Sequence, residues 1–284
     1  MPSHNGDSLA TFMDDGPDLN PGYSILYSFD IDPSSGLDAT LVWSDKAGSS
    51  SSAQSDSKLV NNLDLILVAP DGTEYLGNVF ANGYSQIGGS ADDVNNVERV
   101  KIAPSSSLQA GEWLVKVSHR AGVTQDFSIV LVADATYQPK VDLAVFDSSI
   151  SLSTEAPLKN DILSMSLSWI NQGTLQSGAY RVMLEDLTTS DVLYNSTRNA
   201  LGAGSIDSLT IIHSFTTTGD HELRLRIDVD NQVDEMNDVV NGTDNNIITK
   251  TVQVSALGVR VVPLNDAGEE PTNGEELSEY ATKH

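Results

Sequence analysis

Alternation of apolar and polar residues with a period of two constrains the fold of this chain more than any other feature. Residues 163–169 (LSMSLSW) place Leu163, Met165, Leu167 and Trp169 on one face and three serines on the other. Such alternation is typical of an antiparallel strand with one face buried and the other in contact with water. The pattern therefore predicts a β-sheet protein.

A second strand lies in residues 59–78 (LVNNLDLILVAPDGTEYLGN), where Leu63, Leu65 and Leu67 share one face. The Pro-Asp-Gly sequence at 70–72 follows at once. Proline presets the turn dihedral, and glycine accepts the positive φ that a tight reversal requires. Residues 73–76 then form the returning strand, so this stretch predicts a β-hairpin.

Short apolar runs separated by turn signals continue along most of the chain. We predict further strands at residues 22–31, 39–43, 97–102, 113–118, 127–132, 180–184, 209–211 and 223–229. The pattern restarts after a short boundary at 137–139, and 284 residues suffice for two domains. We therefore expect an all-β protein with a linker or entry segment at 1–20, one β-sandwich at 21–136, a second at 141–254 and an acidic tail or linker at 255–284.

Composition excludes several classes of function. The chain carries 40 Asp plus Glu against 15 Lys plus Arg, for a formal net charge of −25, which disfavours nucleic acid and anionic membranes. No apolar run is long enough to span a bilayer, and no signal-peptide pattern opens the chain. The polar, cysteine-free composition and the sequons at 195–197 and 241–243 favour an extracellular or cell-surface location, as in a fragment of a longer secreted protein.

The sequence offers no catalytic constellation. Nucleophilic catalysis requires a serine or cysteine within reach of a base and an orienting group, but cysteine is absent and the five histidines are scattered. His213 continues the strand pattern of 209–211, so we interpret it as a strand residue. Zinc prefers clustered His and Cys ligands, and the sequence contains no such cluster.

Five short motifs in the first half occur in a characteristic order. They are DATLVWSD (38–45), LVNNLDLILVAPDG (59–72), DVNNVE (93–98), GEWLVKV (111–117) and QDFSIV (125–130). Together they resemble the β-sandwich domain that follows the catalytic domain in many subtilisin-like serine peptidases. The resemblance covers about residues 20–135 and implies a jelly-roll-like sandwich, with a peptidase domain upstream in cis as partner.

Four motifs in the second half resemble the CARDB type of bacterial and archaeal adhesion-like domain. They are DLAV (142–145), WINQG (169–173), GDHEL (219–223) and the acidic, Asn-rich stretch at 228–246. This resemblance covers about residues 141–254 and implies an immunoglobulin-like sandwich. Its acidic and Asn residues are Asp228, Asp230, Asn231, Glu235, Asn237, Asn245 and Asn246. An insertion-like segment at 239–243 lengthens their spacing.

A cluster of oxygen ligands in the first half is the sharpest chemical candidate. Calcium takes six to eight oxygen ligands from carboxylates, amides and backbone carbonyls. The cluster comprises Asp45, Asn61, Asn62, Asp64, Asp92, Asp93, Asn95, Asn96 and Glu98. The subtilisin-like relatives commonly carry calcium in this sandwich, so we predict calcium as cofactor with Asp45, Asn62, Asp64, Asp93, Asn96 and Glu98 as ligands. The alternative is that acidic loops merely solvate an acidic protein.

The resemblances imply a non-catalytic C-terminal region of a secreted subtilisin-like serine endopeptidase. It would stabilise the catalytic domain and dock substrate or a surface of protein or polysaccharide. The first alternative is an extracellular adhesion module without a peptidase. The second is a carbohydrate-binding module, which would need exposed aromatic residues in a row. Tyr23, Tyr27, Tyr75 and Tyr84 are the candidates for that row, whereas Trp43, Trp113 and Trp169 follow apolar strand patterns typical of core residues.

Overall fold

The computed structural model describes residues 10–48, 58–105, 109–236 and 245–256. These residues form seventeen β-strands and one short 3₁₀ turn at Asp147–Ser149. The strands pack around two separate hydrophobic cores, one in each half of the chain. The predicted all-β class, with a jelly-roll-like sandwich followed by an immunoglobulin-like one, is confirmed.

The first sandwich is organised around one long strand that belongs to two layers. Its strands are β1 (Ala10–Leu19), β2 (Ser24–Val42), β3 (Asn62–Val68), β4 (Glu74–Leu76), β5 (Phe80–Ala81), β6 (Tyr84–Ser85), β7 (Val97–Ile102), β8 (Gly111–Ala121) and β9 (Gln125–Gln138). The first part of β2, residues 24–31, pairs with β8, whereas residues 37–42 pair with β7. The pairing of β2 with β9 shifts register between Asp32 and Leu37, which bends the strand between the two layers.

Two predictions for this half need correction. Residues 10–19, predicted as part of a linker, form β1, which pairs with β9 along most of its length. The turn signals at Gly16 and Pro17 fall at a register irregularity near the end of this pairing, so they do not end the strand. The strands predicted separately at residues 22–31 and 39–43 are joined in the single strand β2 (Ser24–Val42). The predicted turn at 32–36 is only a register irregularity within that strand.

The alternating residues of β3 and β8 fill the first core. Leu63, Leu65 and Leu67 are buried in the first core together with Trp113, Val115 and Val117 of the neighbouring strand β8. Their opposite neighbours point out of the sandwich because successive side chains of a strand alternate between faces. Asn62, Asp64 and Ile66 therefore share the outer face of β3.

The second sandwich packs two four-stranded sheets face to face. Its strands are β10 (Leu143–Ala144), β11 (Ile150–Leu152), β12 (Leu163–Asn171), β13 (Tyr180–Asp186), β14 (Asp191–Arg198), β15 (Ile206–His213), β16 (Gly219–Arg226) and β17 (Ile247–Val254). One sheet centres on β12, and the other has the order β14-β13-β16-β17. The Nε1–H of Trp169 donates to the Tyr180 hydroxyl at 2.7 Å across the core. β14 was not predicted.

All three tryptophans are buried, which confirms their interpretation as core residues. In the part of the chain described, no helix is both long enough and apolar enough to cross a bilayer. Residues 237–244, including Asn237 and the insertion-like 239–243, and most of the predicted acidic tail lie outside the described residues.

Candidate metal centre

The start of β3 brings two polar side chains to the outer face of the first sandwich. Asn62 and Asp64 are two residues apart, and the core positions of Leu63 and Leu65 fix their orientation. The pairing of β3 with β8 is irregular between Asn62 and Leu63, so Arg120 is the extra residue of a β-bulge. The Arg120 guanidinium forms an ion pair with Asp64 Oδ2.

Glu98 lies on the buried side of β7, in phase with Val100 and Ile102, and reaches the backbone of β3 next to Asp64. Its side chain is only 1% exposed, and its Oε2 accepts a 2.6 Å hydrogen bond from the Leu65 N–H. The backbone at Gly77 approaches so closely that a Cβ there would collide with Glu98 Oε2. The backbone of the hairpin formed by β3 and β4 therefore encloses this carboxyl group.

Three buried oxygen atoms at this point have no hydrogen-bond partner among the described residues. They are Asn62 Oδ1, Asp64 Oδ1 and Glu98 Oε1. Buried polar atoms are nearly always hydrogen-bonded, and a buried carboxylate oxygen without a donor or cation costs several kcal/mol. Unpaired acceptors of this kind, two on β3 and one on β7, are the groups that a cation with oxygen ligands would satisfy.

The electrostatics of the site point the same way. Burial, together with the negative charges of Asp64 and Asp92, raises the pKa of Glu98 to about 8, although the hydrogen bond from the Leu65 N–H and the charge of Arg120 oppose this rise. Burial also raises the pKa of Asp64; the Arg120 ion pair opposes that rise, and Asp92 adds to it. The carboxyl groups are thus close enough to disfavour one another's ionisation, an effect that a bound cation would reverse.

Asp92 lies in the long loop between β6 and β7 and is held by a dense set of donors. Its Oδ2 accepts from Asn78 Nδ2 and Asn95 Nδ2, each at 2.6 Å, and its Oδ1 accepts from the Val94 and Asn95 N–H groups. Burial raises its pKa, but these hydrogen bonds bring the pKa below the usual value for aspartate. Asp92 is therefore a fixed negative charge beside Asp64 and Glu98.

The six predicted ligands fall into two groups. Asn62 and Asp64 share one face of β3, and Glu98 of β7 accepts from the Leu65 N–H next to Asp64. Asp45 instead accepts hydrogen bonds from the N–H groups of Lys46, Val60 and Asn61, and Asn96 donates to the Trp43 carbonyl. Asp93 is exposed on the loop beside Asp92. Sequence reasoning placed Asp92 in the wider cluster but not among the six, and it missed Asn78 and Arg120.

The carboxylates at this site are too few to coordinate a metal ion by themselves. Among the described residues, no three His, Cys, Asp or Glu side chains converge as a ready metal site. The donor set at β3 and β7 is two carboxylates and one amide, with Asp92 nearby. Calcium accepts amide, backbone carbonyl and water oxygens beside carboxylates, so these residues fit calcium better than a metal that requires histidine or cysteine.

A second buried acidic cluster lies in the second sandwich. Asp142 accepts hydrogen bonds from Asn245 Nδ2 at 2.8 Å and Gln172 Nε2 at 3.0 Å. Glu235 accepts from the Leu143 N–H at 2.7 Å and Asn246 Nδ2 at 2.8 Å. The Asn245-Asn246 pair of the CARDB-like motif thus ties the start of the last strand to the start of the domain.

The remaining residues of that motif have separate partners. Asp228 accepts hydrogen bonds from the N–H groups of Gln232 and Val233 and so closes the 228–233 turn. Asp230 is paired with Arg181 on the outer face of β13. These contacts are typical of turn and surface stabilisation.

The buried histidines make structural contacts. Both ring nitrogens of His119 lie within 2.9 Å of backbone carbonyls, those of Leu19 and Ala121. His221 Nδ1 lies 2.5 Å from Asp186 Oδ2, and the ring packs on Phe215. His213 is half-buried on β15, as predicted for a strand residue.

Comparison with known proteins identifies a family for the half of the chain that holds the second core. The CARDB family model matches residues 140–250. A segment of 99 residues, 32% of the chain, is 43% identical to the serine protease/ABC transporter B family protein tagA of Dictyostelium discoideum. The chain spans only 5% of the length of that relative.

Solved structures similar to this chain include two archaeal domains. One is the CARDB domain of a Pyrococcus furiosus protein in complex with di-metal ions, with 20% identity over 43% of this chain and 99% of that one, and a TM-score of 0.36. The other is a domain of a putative cell surface protein from Methanosarcina acetivorans, with 23% identity over 41% of this chain and 91% of that one, and a TM-score of 0.29.

Proposed function

We propose that this chain, whose second sandwich at residues 140–250 is a CARDB domain, is a non-catalytic region of a secreted subtilisin-like serine endopeptidase. Its role is to stabilise the catalytic domain and to dock substrate or a surface. The observation that carries this proposal is the 43% identity over 99 residues to a protein named as a serine protease. The five ordered motifs of the first sandwich support it independently.

The reading frame upstream of the Met1 codon in the source genome provides the first test. We expect an open frame that continues into the Asp, His and Ser motifs of a subtilisin-like catalytic domain. Deleting residues 10–256 from that longer protein should then shorten the half-life of its peptidase activity on heating. An unrelated upstream domain, or a peptidase whose heat inactivation is unchanged by the deletion, contradicts the proposal.

The competing function is an extracellular adhesion module without a peptidase, and the CARDB match is the observation that favours it. Such a module would bind a cell or polysaccharide surface without effect on proteolysis. The carbohydrate-binding alternative has less support. Tyr27 and Tyr75 are buried and Tyr23 packs against Phe146, so the four candidate tyrosines do not form an exposed row.

The first sandwich, in this proposal, is stabilised by a calcium ion held by Asn62, Asp64 and Glu98, with Asp92 adding negative charge. The ion supplies positive charge to buried oxygens that otherwise have no partner. Because it binds the folded state only, it raises the free energy of unfolding by mass action, by about 2.7 kcal/mol when free calcium is 100 times the Kd.

Calorimetry on the whole chain tests the ion directly. Protein freed of metal with chelator should bind calcium in a titration, and calcium should raise the melting temperature of the first sandwich. Asp71→Asn is the control, because Asp71 is an exposed turn residue that accepts a hydrogen bond from the Thr73 N–H. Absence of binding heat together with an unchanged melt contradicts the calcium proposal.

A further inference from the structure

β14 is an edge strand of the second sandwich. It pairs with β13 on one side, and no strand of the described residues pairs with its other side. Its residues 192–197 (VLYNST) contain no charge, proline or glycine, and Val192 is 55% exposed. An exposed edge of this composition is a template for pairing with a strand of another molecule. Such an edge therefore requires protection.

Two other long edge strands carry this protection in their own sequences. β1 contains Asp14, Asp15 and Pro17, and β17 contains Lys250. Charged side chains and proline on an edge strand oppose pairing with a further strand. The uncharged segment of β14 instead contains the sequon at 195–197.

The sequon asparagine lies on the outer face of the second sandwich. Asn195 is opposite Met183 on β13, and Thr197 is opposite Arg181. Val182, between these two β13 residues, is part of the core. Because successive side chains of a strand alternate between faces, Asn195 and Thr197 both lie on the side away from the core.

The side-chain amide of Asn195 is accessible. All three residues of the sequon are exposed. Among the described residues the Asn195 side chain makes one hydrogen bond, in which Arg181 Nη1 donates to Asn195 Oδ1 at 3.5 Å. The nitrogen Nδ2, to which a sugar would be joined, takes no part in that contact. A glycan on Nδ2 would therefore extend from the sheet without displacing a core side chain.

We infer that Asn195 carries an N-linked oligosaccharide, which shields the free edge of β14 from pairing with another molecule. The inference rests on the secretion that the proposed function includes. The sugar donor is an oligosaccharide joined to a lipid through pyrophosphate. Asn195 Nδ2 forms a bond to the anomeric carbon of the sugar, the bond between that carbon and the phosphate oxygen breaks, the lipid pyrophosphate leaves, and Nδ2 loses one proton.

The oligosaccharide protects the edge by its volume. A further strand would have to lie about 4.8 Å from β14 to pair with it. N-linked glycans are bulky and strongly hydrated, so one on an edge residue occupies the space that this strand needs. On β14 the glycan thus has the role that charged side chains and proline have on β1 and β17.

Mass spectrometry of the protein secreted by its source organism tests the modification. Trypsin releases residues 182–198, in which Asn195 is the only asparagine, whereas the second sequon lies in the separate peptide 227–250. We expect the first peptide to carry sugar, and enzymatic removal of the glycan in heavy-oxygen water to leave labelled aspartate at position 195. An unmodified peptide from the secreted protein contradicts the inference, even if a peptidase domain lies upstream. A glycosylated peptide from a chain without that domain contradicts only the proposed function.

Light scattering on the secreted protein tests the protective role of the glycan. The glycosylated wild type should have the molar mass of a monomer. Asn195→Gln and Thr197→Ala each destroy the sequon, and both variants should have the molar mass of a dimer or a larger assembly. Thr197→Ala keeps Asn195, so it separates the loss of the glycan from the loss of the asparagine side chain.

Val192→Lys, added to Asn195→Gln, provides the matched control. It places a charge on the same edge strand without restoring the sequon, and it should restore the monomer. Ile212→Lys places the same charge on β15, another edge strand with an uncharged segment at 208–212, and should not restore the monomer. If the variants without the sequon remain monomeric, or if only Ile212→Lys restores the monomer, the glycan does not protect β14 and the inference is wrong.

Discussion

Each sandwich buries an acidic cluster beside an Asn-Asn pair, but the two clusters satisfy their carboxylates differently. In the second sandwich all four carboxylate oxygens of Asp142 and Glu235 accept a hydrogen bond. In the first, Asp64 and Glu98 each keep one buried oxygen without a partner among the described residues. Every carboxylate oxygen of the second cluster therefore has a donor, whereas in the first cluster the Arg120 guanidinium pairs with Asp64 Oδ2 and leaves Asp64 Oδ1 and Glu98 Oε1 without one.

A perturbed pKa does not by itself distinguish these situations. Burial raises the pKa of both Glu98 and Glu235 to about 8, and neighbouring aspartates contribute in each case. The difference lies in the donors. In the second cluster, Asn and Gln amide groups donate hydrogen bonds to the carboxylates, so these oxygens do not require a cation. Asn245 Oδ1 itself has no donor among the described residues. The unpaired carboxylate oxygen is thus the better indicator of an ion site.

Matched Asp→Asn substitutions in the two clusters test this comparison and have the largest expected effects on stability. Asp64→Asn should abolish the stabilisation by calcium, about 2.7 kcal/mol at 100 times the Kd, or about 10 °C in melting temperature for a domain of this size. Asp142→Asn should cost about 1–3 kcal/mol, because an amide cannot accept from both Asn245 and Gln172. Scanning calorimetry with and without calcium measures both.

The change in melting temperature on adding calcium distinguishes Asp64→Asn from Asp142→Asn better than the loss of stability does. Asp142→Asn should lower the melting temperature equally with and without calcium. A calcium response that survives Asp64→Asn, or one that disappears in Asp142→Asn, would reverse the assignment of the two clusters.

Gly77→Ala tests the position of Glu98 without changing any charge. The new methyl group would collide with Glu98 Oε2, so the carboxyl group must move away from the Leu65 N–H. We expect a loss of about 1–3 kcal/mol in stability, from the broken hydrogen bond, and weaker calcium binding. Gly178→Ala, which meets no atom within 4 Å, is the control. Unchanged calcium affinity in Gly77→Ala would show that Glu98 is not a ligand.

The raised pKa of Glu235 predicts how the stability of the second sandwich depends on pH. Burial, together with the negative charges of Asp142 and Asp228, raises this pKa to about 8, although hydrogen bonds from the Leu143 N–H and from Asn246 oppose this rise. The folded state therefore holds a proton that the unfolded state releases near pH 4.5, so stability falls as pH rises from about 5 to about 8. We expect this fall to be on the order of 2 kcal/mol and to be smaller in Glu235→Gln.

Denaturant unfolding at pH 5 and pH 8 measures this difference. The comparison between wild type and variant isolates Glu235 from other groups that titrate in the same range. Equal pH dependence in the two proteins would mean that Glu235 is ionised throughout, and the second cluster would then also carry uncompensated charge.

The core residues of both sandwiches were predictable, because alternation with a period of two directly reports burial. Leu163, Met165, Leu167 and Trp169 are all buried as predicted. β14 was missed because it is an edge strand whose sequence, DVLYNSTR, shows little alternation of apolar and polar residues. Edge strands pair on one side only and tolerate polar residues on both faces.

The site was predictable only in part, because its composition depends on contacts distant in sequence. Asn62, Asp64 and Glu98 occur in recognisable motifs, but nothing in the sequence shows that Asp45 accepts backbone N–H groups. The contact between Arg120 and Asp64 depends on a β-bulge, which shifts one strand by a single residue. Such a local irregularity has no signal in the hydrophobic pattern.

The adjacent residues Asp92 and Asp93 provide the finest test of the site, with the smallest expected effect. The sequence does not distinguish them, but the fold places Asp92 where its charge reaches Asp64 and Glu98, whereas Asp93 is exposed. Asp92→Asn should weaken calcium binding by about tenfold, equivalent to about 1.4 kcal/mol, and Asp93→Asn by less. Calorimetric titration of both variants measures the difference. A larger loss of affinity in Asp93→Asn would restore Asp93 as the predicted ligand and would mean that the loop moves when the ion binds.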